Sequence, residues 1–233
     1  MSNEILLILS VLLTYSALLA LHQWCGKEGL VGFMVFASIV ANIEVMILVR
    51  AFGIEQTLGN VLFASTFLIT DVLSEIYGKE SAKRVVKIGI FANALFLIFS
   101  QLWLFYTMQD VQNLQHFESI FANTPRIIIA SLLVFAIASY VDVWLYHFWW
   151  DLSERIWHNR SRGLWLRNNG STLISQLLNT LLFSFGAFYG IYPLDVILQI
   201  ALSSYLIFFI LSVLDTPILY LFVYLTKTKT LYD

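Results

Sequence analysis

Seven stretches of about 20 largely apolar residues follow one another along this chain of 233 residues, and no other feature limits its fold so tightly. They run approximately from Ile5 to Trp24, Leu30 to Val49, Leu58 to Ile76, Val85 to Met108, Arg126 to Trp150, Ser171 to Tyr189 and Leu194 to Thr226. A helix of that length crosses the roughly 30 Å hydrocarbon layer of a bilayer. Only 12% of the residues are charged, against about 25% in a soluble domain, and 59% are hydrophobic, so the polar surface that a body in water needs is missing. The sequence therefore predicts an all-α, polytopic integral membrane bundle of about seven transmembrane helices. The hydrophilic stretches, Gln109 to Pro125 and Asp151 to Gly170, are loop-sized, so residues 1–233 read as a single transmembrane domain. Ser2, Asn3 and Glu4 give the first run no basic start, which marks it as a retained span rather than a cleaved signal. As one helix the last run would be about 50 Å long. Pro217, with no N–H to donate, is the expected kink in it.

Basic residues orient the bundle. Lys27, then Lys79, Lys83, Arg84 and Lys87, then Arg155, Arg160, Arg162 and Arg167, then Lys227 and Lys229 fall on one side of a seven-span arrangement, leaving Arg50 and Arg126 on the other. The positive-inside rule makes the rich side cytoplasmic, with the N-terminus out and the C-terminus in. Trp103, Tyr106, Trp144, Tyr146, Trp149 and Trp150 lie towards span ends, as anchors at the headgroups do. The net charge of −2 gives no electrostatic footprint for nucleic acid. Cys25 is the sole cysteine, and His22, His116, His147 and His158 are not spaced as ligands, so neither a metal nor a cofactor is expected. The chain contains no HExxH, GxSxG or phosphate-binding loop, so the sequence favours a non-enzyme; an intramembrane hydrolase using Asp71 with Asp142 or Asp215 stays open as an alternative.

Ionisable groups at membrane depth cost about 2.5–3.5 kcal/mol each on insertion scales, so each is a functional candidate. The candidates are Asn42, Glu44, Thr70, Asp71, Asp142, Gln176, Asn179 and Asp215. Asp71, Asp142, Gln176, Asn179 and Asp215 fall between the midplane and the cytoplasmic third, a pattern that fits one shared internal cavity, and Glu44 leans outward. Each has a plainer reading. Glu75 is near enough to the interface to pair with Lys79 or Lys83, Asp142 could pair with His147, Gln176 and Asn179 could join helices, and Asp215 could satisfy backbone freed by Pro217.

Two segments are more specific: Phe67 to Lys79 (FLITDVLSEIYGK), followed by Ala82 and Arg84, and Trp165 to Gln176 (WLRNNGSTLISQ), followed by Asn179 and Thr180. With Ala41-Asn42-Ile43, Thr124-Pro125-Arg126, Ser131, Asp142-Val143 and Asp215-Thr216-Pro217, they make the stretch from about Val31 to Leu225 resemble the queuosine precursor transporter family, also called the vitamin uptake transporter family. Departures from the family pattern fall at Ile47, Phe208 and Asn179, where lysine, lysine and aspartate are common.

The resemblance implies a six-helix core with the first span added, in the bacterial inner membrane. It also implies import of 7-deazaguanine bases such as preQ0, preQ1 or queuine for tRNA modification. Such a base presents an N–H and an exocyclic amine beside a carbonyl. A carboxylate, Asp71 or Asp142, can accept from the first two, and an amide, Asn42, Gln176 or Asn179, can donate to the third. Glu44 or Asp215 could neutralise an aminomethyl cation, and Phe67 could stack on the ring. The partners expected are the small-molecule substrate and the lipid bilayer. Gly186 and Gly190 leave room for a homo-oligomer. A binding subunit that needs an ATPase partner is the alternative transporter reading.

Overall fold

Because lipid offers no hydrogen bonds, an apolar run must satisfy its own backbone, and the chain answers with helices. The computed structural model describes residues 2–45, 47–106, 118, 121, 125–158 and 162–229. Most of the expected loop from Gln109 to Pro125, with Met108, lies outside them. The elements are α1 (Asn3–Glu44), β1 (Leu48–Ala51), β2 (Ile54–Thr57), α2 (Gly59–Tyr77), α3 (Lys79–Trp103), α4 (Pro125–Trp157), α5 (Leu164–Phe188) and α6 (Leu194–Lys229). Among the described residues, six helices are long and apolar enough to cross a membrane.

The first two apolar runs are merged in α1, whose 42 residues are broken at Gly26 (φ 58°, ψ −133°), a backbone conformation open to glycine. The chain folds back there. Gly29 comes against the carbonyl of Leu21, and Leu7 and Glu44, far apart along α1, line one cavity. Two arms, 3–25 and 27–44, thus lie antiparallel with no loop between them. At their open end the Asn3 amide donates to the Arg50 carbonyl, 3.0 Å, and the Phe52 N–H to Glu4, 3.3 Å.

Other boundaries correct the sequence reading. The second run was expected to reach Val49, but the helix stops at Glu44, and Leu48 and Val49 open an antiparallel hairpin with register Leu48 to Thr57. Its turn, Phe52-Gly53, has positive φ at both residues. The stretch from Asp151 to Gly170 is mostly helical: α4 runs on to Trp157 and α5 already starts at Leu164, which takes Arg167 out of a loop and into a helix. α6 is one helix through Pro217.

α2 is buried from Gly59 to Ser74, apart from half-buried Leu62 and Phe63, as a helix enclosed by others must be. α1, α3, α4, α5 and α6 all contact it. Its core partners include Leu18, Leu30, Met34, Phe135, Leu219 and Phe222. Outward-facing apolar side chains such as Leu13, Phe91, Leu133 and Leu202 are exposed and suit a lipid solvent. Arg126, at the start of α4, donates to the carbonyls of Gly186 and Tyr189 at 2.8 and 2.7 Å, closing the C-terminal end of α5 with a cation.

Candidate functional site

The polar residues of α2, α4 and α5 meet in the middle of this bundle. On α5, Thr172, Ser175, Gln176 and Asn179 recur at three- and four-residue spacing, which puts them on one helical face. All four are buried. The Ser175 hydroxyl donates to Asp142 Oδ1 at 2.9 Å, and the Thr70 hydroxyl lies 3.1 Å from Asp142 Oδ2. Both Asp142 oxygens are therefore met by hydroxyls, and the carboxyl is 0% exposed. Asp71, 1% exposed, is less well served. The Thr172 hydroxyl reaches Asp71 Oδ2 at 3.4 Å, and Oδ1 has no partner. Gln176 accepts from the Asn179 amide at 3.2 Å, while its own Nε2 has no partner. Phe67, one turn before Asp71, is buried against Phe63 with ring centroids 5.5 Å apart.

Three predicted residues lie elsewhere. Asp215 is within electrostatic reach of Asp71, yet its hydrogen bond comes from the Tyr15 hydroxyl of α1, at 2.6 Å, and not from backbone freed by Pro217. Asn42 donates to Asn93 on α3 at 2.6 Å and to the Ser38 carbonyl at 2.7 Å, with the Ser131 hydroxyl of α4 at 3.4 Å from its oxygen. Glu44 lines a cavity of about 370 Å³ between the arms of α1 and the start of α2, with Ser10, Thr14, Phe33, Phe36 and Val61. Val61 is ten residues before Asp71 on α2, so Glu44 and the Asp71 cluster are separated along the bundle by about 15 Å.

Other expectations are corrected. Glu75 pairs with neither Lys79 nor Lys83; Arg167 Nη2 holds both of its oxygens, at 2.8 and 2.9 Å, and the Tyr146 hydroxyl donates to Oε2 at 2.7 Å. Lys83 pairs with Glu80 instead. Tyr146 is no headgroup anchor, being 0% exposed, and the half-buried Trp150 carries the Arg167 guanidinium 4.4 Å from its ring centroid. Asp142 does not pair with His147; its partners are Thr70 and Ser175, and a five-residue spacing on one helix turns the two side chains apart. Sequence reasoning missed Tyr15, Thr172, Ser175 and Arg167. The signal for the α5 pair was present in the three- and four-residue recurrence of small polar side chains between Asn168 and Asn179.

Nearer the start of α5, the Asn168 and Asn169 amides donate to the Thr216 hydroxyl at 3.1 and 2.7 Å, and the Ser212 hydroxyl donates to Asn169 at 3.1 Å. This network ties α5 to α6 beside Asp215. The Tyr15–Asp215 bond reaches the same part of α6 from α1. Tyr15→Phe leaves a buried carboxyl without that donor, and is expected to lower stability by about 1–3 kcal/mol. Tyr15→Phe with Asp215→Leu recovers most of the loss. Thermal unfolding in mild detergent reads both, and an unchanged single variant would show the bond to be idle.

A bundle of apolar helices folded around a buried cluster of carboxyl, amide and hydroxyl groups defines a multi-pass membrane protein with a polar interior. The family model described as "Putative vitamin uptake transporter" matches residues 57–222, and the chain belongs to the vitamin uptake transporter family. It is 38% identical over 222 residues, 94% of either chain, to a Bacillus subtilis (strain 168) protein named "Probable queuosine precursor transporter". It is 30% identical over 150 residues, 64% of this chain and 62% of the other, to the "Queuosine precursor transporter" of Escherichia coli (strain K12). No solved structure matches.

Proposed function

We propose that the chain is a membrane transporter, not an enzyme, that imports queuosine precursors of the 7-deazaguanine class across the cytoplasmic membrane. The observation that carries this reading is the 38% identity over 94% of both chains to a relative of that name. The buried cluster supports it chemically. Asp71 and Asp142 offer carboxylates, Gln176 and Asn179 offer amides, and Phe67 offers a flat apolar face, which together suit a planar base with adjacent donors and a carbonyl. Asn42, Glu44, Thr70 and Asp215 complete the proposed substrate path: Thr70 holds Asp142, and Glu44 lines the cavity at the opposite end of α2.

The two arms of α1 and the five later helices make seven crossings in this reading, with the N-terminus outside, the basic side in the cytoplasm and the whole chain acting as one transmembrane domain. The cluster then sits beyond the Glu44 cavity on the route inward. Uptake of a labelled precursor by cells unable to make it is the test. Wild-type protein supports uptake, and Asp71→Asn lowers it about tenfold or more at equal membrane abundance. Uptake no greater than in cells lacking the chain sinks the proposal.

A further inference from the structure

Among the described residues, Asp71 Oδ1 is the only carboxylate oxygen, and Gln176 Nε2 the only amide nitrogen, that is wholly shielded from solvent and yet has no hydrogen-bond partner. One group accepts and the other donates, yet they do not bond each other. Thr172, which touches Asp71, is one helical turn from Gln176, so the side chains at these two α5 positions are neighbours with Cβ atoms about 5–6 Å apart. An acceptor and a donor held near each other without contact can be bridged by a ligand carrying the complementary pair. Ser74, three residues on from Asp71, adds a hydroxyl that is also unpartnered. Asp142 contrasts with this, because Thr70 and Ser175 already engage its two oxygens.

We propose that Asp71 and Gln176 are the pair that reads the hydrogen-bonding edge of the base: Asp71 accepts from the ring N–H and the exocyclic amine, and Gln176 donates to the ring carbonyl, while Asp142 positions α5 and does not touch the ligand. This assignment rests on the transport reading above and divides its site into reading and positioning residues. Asp71 Oδ2, held only by the 3.4 Å contact to Thr172, stays open to a second hydrogen bond. The edge so read is common to all 7-deazaguanines, and the substituent at the 7-position is carried by the five-membered ring, outside that edge. The pair therefore selects the class and not the individual precursor.

The experiment is competition against uptake of a labelled 7-deazaguanine precursor by the full chain in cells. Three unlabelled competitors are used: 7-deazaguanine, 7-deazahypoxanthine, which lacks the exocyclic amine but keeps the ring N–H, and 2-amino-7-deazapurine, which lacks the carbonyl oxygen and with it the ring N–H. Wild-type protein prefers 7-deazaguanine to either analogue by about tenfold or more. Asp71→Asn reduces the preference over 7-deazahypoxanthine to within about twofold of unity. Gln176→Leu leaves that preference intact and narrows the one over 2-amino-7-deazapurine. Asp142→Asn keeps both preferences, whatever its effect on uptake, because a positioning residue changes all ligands alike. If Asp71→Asn fails to accumulate, Asp71→Glu gives the same readout, since its longer side chain displaces both acceptors. Preferences unchanged in Asp71 and Gln176 variants, or lost in Asp142→Asn, overturn the assignment while leaving the transporter reading in place. A wild-type chain that takes up no precursor overturns both.

Discussion

Arg167→Met is expected to destabilise the folded chain by about 3–5 kcal/mol, the cost of stripping one partner from a buried ion pair. Arg167 is 0% exposed, and both terminal nitrogens and the planar face of its guanidinium are engaged. Nη2 bridges both Glu75 oxygens, Nη1 donates to the Arg162 carbonyl at 3.0 Å, and the planar face rests on Trp150. Its removal leaves the Glu75 charge with the Tyr146 hydroxyl alone, in a part of the bundle where α2, α4 and α5 meet. Arg167→Lys is no rescue, because an ammonium can neither reproduce the fork nor stack on the indole. Glu75→Gln combined with Arg167→Met removes both charges and recovers most of the loss, since the penalty comes from the uncompensated carboxylate. The midpoint of thermal unfolding in mild detergent measures all three. A double variant no better than the single one would refute the ion-pair account. Glu75 lies one turn beyond Asp71 on α2, so this clamp also fixes the helix that bears the proposed ligand contact.

That ion pair shows where the sequence could be read and where it could not. Apolar length alone gave the helices, because in lipid any such run has one way to satisfy its backbone. Helix ends were harder. Arg167 counts as a loop charge until Glu75 and Trp150 are brought to it, and nothing in the linear order of the chain pairs residues 92 positions apart. The carboxyl and amide groups stood out as anomalies in oil, so Asp71, Asp142 and Gln176 were legible as candidates. Their division of labour was not, because it depends on which oxygens Thr70, Thr172 and Ser175 reach, and small hydroxyls in helices commonly bond only their own backbone. Tyr15 was hidden for a related reason. A tyrosine within an apolar run looks like bulk until the arm that carries it is folded against α6.

The fold of that arm makes Gly29→Ala the second large effect. A Cβ at Gly29 would sit 2.4 Å from the Leu21 carbonyl oxygen and 2.8 Å from its carbon, with Cys25 Cβ at 3.2 Å. The nearest atoms are backbone on the other arm, so no rotamer change relieves the contact and the arms must part. Overpacking of this kind costs about 1–3 kcal/mol, and more where the backbone cannot move. Gly32→Ala is the control. It lies on the same arm, is exposed, and has nothing within 4 Å of its added Cβ, so it gains helix propensity worth up to about 1 kcal/mol over glycine. The two variants add the same methyl three residues apart and are expected to shift the unfolding midpoint in opposite directions. Equal shifts would mean that the arms do not close at Gly26 as described. Parting the arms also moves Tyr15 relative to Asp215, so Gly29→Ala combined with Tyr15→Phe should cost less than the sum of the two, whereas Gly32→Ala with Tyr15→Phe should be additive.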